Sequence, residues 1–117
     1  MAADSNHFTQ QAHAYFTCFN HWDVAGLREL FAPEVTLTDW NGHWEGIESV
    51  LTTNASIFEH KPVVEILGID TVSKNAHGDA RSYCKIHVHI AGKNLKVLDV
   101  IDWSASGKIV GVEAFLG

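Results

Sequence analysis

The sequence has little positive charge, and none of that charge is clustered. Its 117 residues include 8 Lys and Arg against 14 Asp and Glu, for a formal net charge of −6 at pH 7. Proteins that bind nucleic acid backbones need clustered Lys and Arg, and anionic membrane surfaces attract the same feature. The composition therefore argues against nucleic acid and membrane surfaces as partners.

Long apolar runs are missing, and cysteines are few. No apolar stretch approaches the ~20 residues that a membrane-spanning helix needs. The first eight residues show neither the basic segment nor the apolar core of a secretory signal. The chain has two cysteines, Cys18 and Cys84. We expect both to be free thiols in a reducing compartment. We therefore expect a cytoplasmic protein.

Internal repeats, low-complexity segments and linkers are also absent. A chain of this length can bury roughly two thirds of its unfolded surface in one core. Hydrophobic residues make up 46% of the chain, an ordinary value for a globular protein. We expect one domain over residues 1–117.

Apolar residues in the first sixty positions recur mainly with a helical period. The stripe of the first predicted helix consists of Phe8, Ala12, Tyr15, Phe16 and Phe19. Asp23 is a good N-cap for a short second helix that carries Leu27, Leu30 and Phe31 and ends at Pro33. A third helix is predicted to begin at Gly46 and to end before Pro62.

Between the second and third helices, residues 35–40 alternate as a strand. Asn41-Gly42 is the dipeptide that a type I′ hairpin turn prefers, so a hairpin is expected there. After Pro62 the period changes to two, which predicts strands near 63–73, 81–91, 94–104 and 108–116. Four consecutive strands form a meander, and helices on one side of it define an α+β fold.

Three polar side chains are predicted to face the apolar interior. In the strand from Leu95, Asp99 falls on the same face as apolar residues that alternate with it. Asp39 shares a face with Leu37 in the earlier strand, and Tyr15 lies inside the first helical stripe. A polar group in an apolar interior costs free energy unless it is paired or used.

Such a set is suited to acid–base chemistry on a carbon acid. Burial raises the pKa of a carboxyl, and no Lys or Arg shares the inward face of Asp99. We therefore expect the Asp99 carboxyl to be neutral at pH 7. The alternative is that an unseen positive partner, such as His43, keeps this carboxyl charged. Asp39 lies at a strand end where water reaches it, and we expect it to be ionised. Of two carboxyl groups in unlike environments, the ionised one can act as a general base and the neutral one as a hydrogen-bond donor. The alternative is that each of the three residues is structural.

The whole pattern resembles the ketosteroid isomerases, which belong to the nuclear transport factor 2-like (SnoaL-like) superfamily. The residues that carry the resemblance are Tyr15, Asn20, Asp23, Phe31-Ala32, Asp39, Gly46, Asp99 and Gly107-Lys108-Ile109. It covers nearly the whole chain. It implies a cystatin-like, cone-shaped roll, in which three N-terminal helices pack in the concave side of a strongly curved, mostly antiparallel sheet.

By the same resemblance, Asp39 would be the general base, and Tyr15 and Asp99 would form the oxyanion hole. It implies no cofactor, and a small apolar ligand such as a steroid- or polyketide-like ketone. We expect the pocket wall to consist of Phe19, Leu37, Phe58, Ile86, Val88, Val97, Val112 and Ala114. Trp40 stands where the family usually has proline, and Asn54 and Phe58 lie where further tyrosines are usual, so the pocket mouth should differ.

The fold also hosts other functions, so two alternatives stay open. One is a non-catalytic ligand-binding or assembly module, and the other is a dehydratase or cyclase in which His43 would matter.

The outer sheet face is the predicted contact surface of a homodimer. Tyr83, Lys85, His87 and His89 share this face because they alternate with apolar residues of the same strand. His87 and His89 could also bind a metal, but a third ligand is not identifiable, so we expect no metal site.

Overall fold

The computed structural model describes residues 5–117, which form three helices and six strands. The helices are α1 (Ser5–His21), α2 (Val24–Leu30) and α3 (Ile47–Phe58). The strands are β1 (Phe31–Asp39), β2 (Gly42–Glu45), β3 (Val63–Ser73), β4 (Ala80–Ile90), β5 (Lys93–Trp103) and β6 (Ile109–Leu116). The α+β prediction is confirmed, and the four strands predicted after Pro62 are each found within one residue of their predicted ends.

All six strands belong to one sheet, in the order β2-β1-β6-β5-β4-β3. The predicted meander is confirmed, because β3 to β6 pair antiparallel with their chain neighbours. The hairpin β1–β2 joins the other side of β6, where β1 runs parallel to β6. Among residues 5–117, no helix is both long and apolar enough to cross a membrane.

Phe31 lies in β1, and its assignment to the second helix is wrong. α2 ends at Leu30, and the Phe31 N–H closes its last turn by donating to the Leu27 carbonyl. The backbone of Phe31 is already extended, and the residue pairs with Ile109 of β6. The helical spacing of apolar residues could not distinguish helix from strand at Phe31. The residue is buried, at 3% exposure, and an apolar residue would be buried at this position in either structure.

Side-chain hydrogen bonds fix α1 to the sheet near both of its ends. Towards the start of the helix, Thr9 contacts Thr71 of β3 at 2.9 Å, and Thr71 in turn contacts Ser82 of β4 at 2.7 Å. The indole N–H of Trp103 donates to the same Ser82 hydroxyl at 3.0 Å. Near the end of the helix, Asn20 bonds the backbone of edge strand β3 twice.

These two bonds form a clamp on a single residue. The Asn20 carboxamide donates to the Val64 carbonyl at 3.1 Å and accepts from the Val64 N–H at 2.6 Å. Tyr15 lies between the Thr9 contact and this clamp, so both anchors set how deeply its ring enters the core.

Replacing Asn20 with Ala should therefore destabilise the protein. Loss of both bonds is expected to lower the free energy of unfolding by about 1–2 kcal/mol, measured by urea denaturation. Asn94→Ala is the matched control, because within residues 5–117 the Asn94 side chain makes no hydrogen bond. Equal stability of the two variants would show that the clamp contributes nothing.

Candidate active site

A cavity of about 310 Å³ opens between the inner sheet face and helices α1 and α3. This volume is at the lower end of the range for small-molecule sites. Its lining is mostly apolar but includes Tyr15, Asp39 and Asp99. The three residues singled out in the sequence thus lie on one cavity, although they come from α1, β1 and β5.

Tyr15 enters the cavity from the middle of α1. Its ring packs on Phe16 and Phe19, with centroids 5.1 and 5.0 Å away, and the residue is 2% exposed. Burial, and next the charge of Asp99, raise the pKa of the Tyr15 phenol well above its ordinary value. Within residues 5–117 its hydroxyl makes no hydrogen bond. Tyr15 therefore presents a neutral O–H donor to the cavity.

Asp99 lies in β5, between Cys84 of β4 and Ala114 of β6. The residue is 7% exposed, and its side chain faces the cavity, as strand alternation predicts. Burial, and next the charge of Asp39, raise the pKa of the Asp99 carboxyl to about 7. Near pH 7 the carboxyl is thus partly protonated, where we expected it to be neutral.

His43 is not the cationic partner of Asp99 that the sequence left open. It lies in β2 outside the cavity lining, where its ring nitrogens contact Thr38 at 2.6 Å and Glu45 at 3.0 Å. Among the described residues, no cation contributes to the pKa shift of Asp99. Nothing in this part of the chain therefore stabilises the charged form of that carboxyl.

Asp39 ends β1, and the turn that follows it holds the carboxylate. Oδ1 accepts hydrogen bonds from the N–H groups of Asn41 at 2.7 Å and Gly42 at 3.2 Å. Within residues 5–117, Oδ2 makes no such bond, so this second oxygen remains available to another partner. Asp39 is only partly buried, in contrast to Asp99.

The predicted type I′ turn at Asn41-Gly42 is wrong. Asp39 pairs with Gly42, so the two turn residues are Trp40 and Asn41, and neither has a positive φ. An aspartate that bonds the backbone two and three residues ahead stabilises a turn without left-handed residues. The same two bonds orient the Asp39 carboxylate.

Six of the eight apolar residues expected in the pocket wall line the cavity: Phe19, Leu37, Val88, Val97, Val112 and Ala114. Phe58 and Ile86 do not, contrary to expectation. The Phe58 ring packs edge-on against Phe19 at 5.0 Å, so it lies behind a lining residue. Ile86 is buried in the main core at 2% exposure.

Nine further residues line the cavity that were not among the expected wall residues. They are Trp40, Asn41, Asn54, Ile57, His60, Ile90, Ala91, Lys93 and Leu95. Leu95 shares a strand face with Asp99, and that signal could have identified it. Ala91 and Gly92 form the β4–β5 turn with φ values of 50° and 75°. No local sequence pattern indicates that a residue of this turn lines the cavity.

The histidines of the outer sheet face do not form a metal cluster. His87 lies 3.5 Å from a carboxylate oxygen of Glu65 on the neighbouring strand, and His89 is exposed. Among residues 5–117, no group of three ligating side chains is close enough to hold a metal ion.

Comparison with known proteins identifies the family. The model of the SnoaL-like domain matches residues 12–112, which include α1 from Ala12, all the strands up to β6, and the three polar cavity residues. The chain belongs to the SnoaL-like family. No curated protein matches this SnoaL-like chain.

Solved structures resemble the SnoaL-like chain over its full length at low sequence identity. A protein of unknown function with a cystatin-like fold from Methylobium petroleophilum PM1 is 16% identical, with a TM-score of 0.85 over 100% of this chain and 80% of its own. A candidate ketosteroid isomerase from Kribbella flavida is 13% identical, with a TM-score of 0.82 over 98% and 81%. Nuclear transport factor 2 from Cryptosporidium parvum is 19% identical, with a TM-score of 0.79 over 93% and 90%. At such low identities, these TM-scores show a shared fold and nothing further.

The raised pKa of Asp99 predicts how the stability of this SnoaL-like domain depends on pH. The folded carboxyl holds its proton up to about pH 7, whereas the unfolded one releases it near pH 4, so folding becomes less favourable as pH rises between these values. Asp99→Asn removes this dependence. The stability of the variant relative to wild type should rise by up to roughly 4 kcal/mol from pH 4 to pH 8.

Urea unfolding at pH 4.5, 6 and 8 measures this difference. Asp70→Asn changes the net charge equally at an exposed site on β3 and serves as control. A constant difference between wild type and Asp99→Asn across this range would show that the carboxyl titrates normally.

Proposed function

We propose that this protein is an isomerase that moves a proton between two carbons beside a carbonyl group, through an enolate intermediate. The observation that carries the proposal is the meeting of Tyr15, Asp99 and Asp39 on one mostly apolar cavity. The cavity combines two hydrogen-bond donors with a carboxylate in a different environment. Such a combination suits general base catalysis on a carbon acid.

Asp39 is proposed as the base. Its Oδ2 removes a proton from the carbon between the carbonyl and a β,γ double bond. The electron pair of that C–H bond forms a double bond to the carbonyl carbon, and the π pair of the carbonyl moves onto its oxygen to form an enolate. The bonds from Asn41 and Gly42 to Oδ1 keep the carboxylate oriented during the transfer. Asp39 then returns the proton to the γ-carbon, which leaves the enzyme unchanged and the double bond in conjugation.

Tyr15 and the protonated form of Asp99 are proposed to stabilise the enolate. Both donors strengthen as negative charge develops on the oxygen, because hydrogen bonds to an anion are stronger than those to a neutral carbonyl. They are fixed in an apolar cavity before the reaction, which increases this difference. A bound ligand that excludes water from Asp99 would further favour its protonated form.

The proposed substrate is a small apolar ketone, steroid- or polyketide-like. The aromatic and aliphatic wall supplies hydrophobic contact, and the cavity volume limits the ligand to a small ring system. The alternative is a ligand-binding module without catalysis. This alternative is supported by the fold shared with nuclear transport factor 2, because the name of that protein denotes transport and not catalysis.

Turnover of a β,γ-unsaturated ketone tests the proposal. Asp39→Asn should lower kcat/KM by at least about 100-fold, since a positioned base contributes that much. The carboxamide oxygen that this substitution introduces can still accept the turn hydrogen bonds, so the fold should persist. Asp70→Asn on β3 should leave turnover unchanged. Absence of turnover by the wild type, or equal turnover by Asp39→Asn, would favour the binding module.

We also propose a homodimer formed through the outer sheet face. Exposed apolar side chains interrupt the polar residues of this face: Leu67, Tyr83, Leu98 and Phe115, at 46%, 40%, 38% and 48% exposure. Leu98 and Phe115 pair across β5 and β6, and they border a shallow groove that also contains Lys85 and His87. A contiguous apolar patch of this kind is typical of protein interfaces.

Sedimentation velocity at several concentrations tests the dimer. The wild type should sediment as a dimer at pH 8, and Leu98→Glu should shift it towards monomer by placing a charge in the patch. Thr52→Glu, on the exposed side of α3, should not change the equilibrium. A wild-type monomer at every concentration would refute the proposal.

A further inference from the structure

Asn54 is the most deeply buried polar side chain on the wall of the cavity. It is 1% exposed, and within residues 5–117 neither its carboxamide oxygen nor its nitrogen has a hydrogen-bond partner. Among residues 5–117, these two are the only fully buried side-chain nitrogen and oxygen atoms that lack a partner. Each such atom costs free energy, because it loses its hydrogen bonds to water.

The position of Asn54 in α3 calls for an apolar residue. Val50, Leu51 and Phe58 lie one turn before and after it on the same buried face. Leucine has nearly the shape of asparagine and would fill the site without the polar cost. The carboxamide therefore occupies a core position at which it does not help folding.

The wall formed by α3 continues past Asn54 to the end of the helix. Asn54 and Ile57 are followed by His60 just beyond the helix, and all three line the cavity. Neither polar atom of Asn54 is bonded to the Tyr15 hydroxyl or the Asp99 carboxyl. The carboxamide is thus not hydrogen-bonded to the pair of donors proposed to hold the enolate oxygen.

We infer that the Asn54 carboxamide turns from its fully buried position towards the cavity when a ligand binds, and that it recognises a second polar group of the ligand, a hydroxyl or carbonyl remote from the reacting ketone. A carboxamide offers both an acceptor and donors, so it can satisfy a hydroxyl in both directions or donate to a carbonyl. The inference rests on the proposed binding of a cyclic ketone in the cavity, but not on catalysis. It narrows the ligand from an apolar ketone to one with two oxygen functions.

Fused-ring phenols provide the test. The probes are naphthols in which the second ring carries either a hydroxyl or a methyl group, at several matched positions, and isothermal titration calorimetry gives their affinities. For at least one position, the wild type should prefer hydroxyl over methyl by about tenfold. Asn54→Leu should abolish this preference, while Thr52→Leu on the exposed side of α3 should keep it.

A second measurement separates recognition from a structural role. Without ligand, Asn54→Leu should melt roughly 4 °C or more above the wild type, because it removes an unsatisfied buried amide. A lower melting temperature would show that Asn54 holds the fold and would overturn the inference. So would an unchanged hydroxyl preference in Asn54→Leu.

Asp99→Leu distinguishes failure of the inference from failure of the proposed function. It should weaken hydroxyl- and methyl-substituted naphthols alike, since it removes a donor to the shared phenol oxygen. If Asp99→Leu weakens binding but Asn54→Leu leaves the preference intact, only the inference fails. If no naphthol binds the wild type, the proposed ligand class and the inference fail together.

Discussion

Desolvation of the Asp99 carboxyl is the constraint on which the chemistry of the cavity depends. β5 lies between β4 and β6, so a side chain on its inner face is flanked by side chains of both neighbouring strands. Burial makes ionisation costly and brings the pKa of this carboxyl to about 7. The same surroundings keep Tyr15 protonated. Tyr15 and the protonated fraction of Asp99 therefore supply two neutral donors to the cavity.

The two aspartates differ because they occupy different positions in their strands. Asp39 is the last residue of β1, where the chain turns and two backbone N–H groups meet its carboxylate. Asp99 has strand residues on both sides and receives no such bonds from residues 5–117. Their separation on the sheet is small enough for the charge of Asp39 to raise the pKa of Asp99. Local backbone structure therefore gives identical side chains different surroundings.

Features that follow from strand alternation could be predicted from the sequence, and features that depend on tertiary packing could not. Side chains alternate between the two faces of a strand, so the sequence alone predicts which sheet face Asp99 and His87 occupy. Whether Phe58 lies in the wall or behind Phe19 depends on how α3 packs on α1, which no local pattern encodes. The turn after Asp39 was mispredicted because its aspartate side chain replaces the left-handed residues that Asn-Gly usually supplies.

The buried polar residues show where the fold departs from maximal stability. Three are buried within residues 5–117, and one of them, Ser82, is satisfied by Thr71 and Trp103. The other two, Asn54 and Asp99, have no hydrogen bond in the described chain, and both line the same cavity. A protein that needed these groups only for folding would gain from apolar residues at both positions. Their concentration on one cavity is what ligand recognition requires, because groups left unpaired by the fold can pair with a ligand.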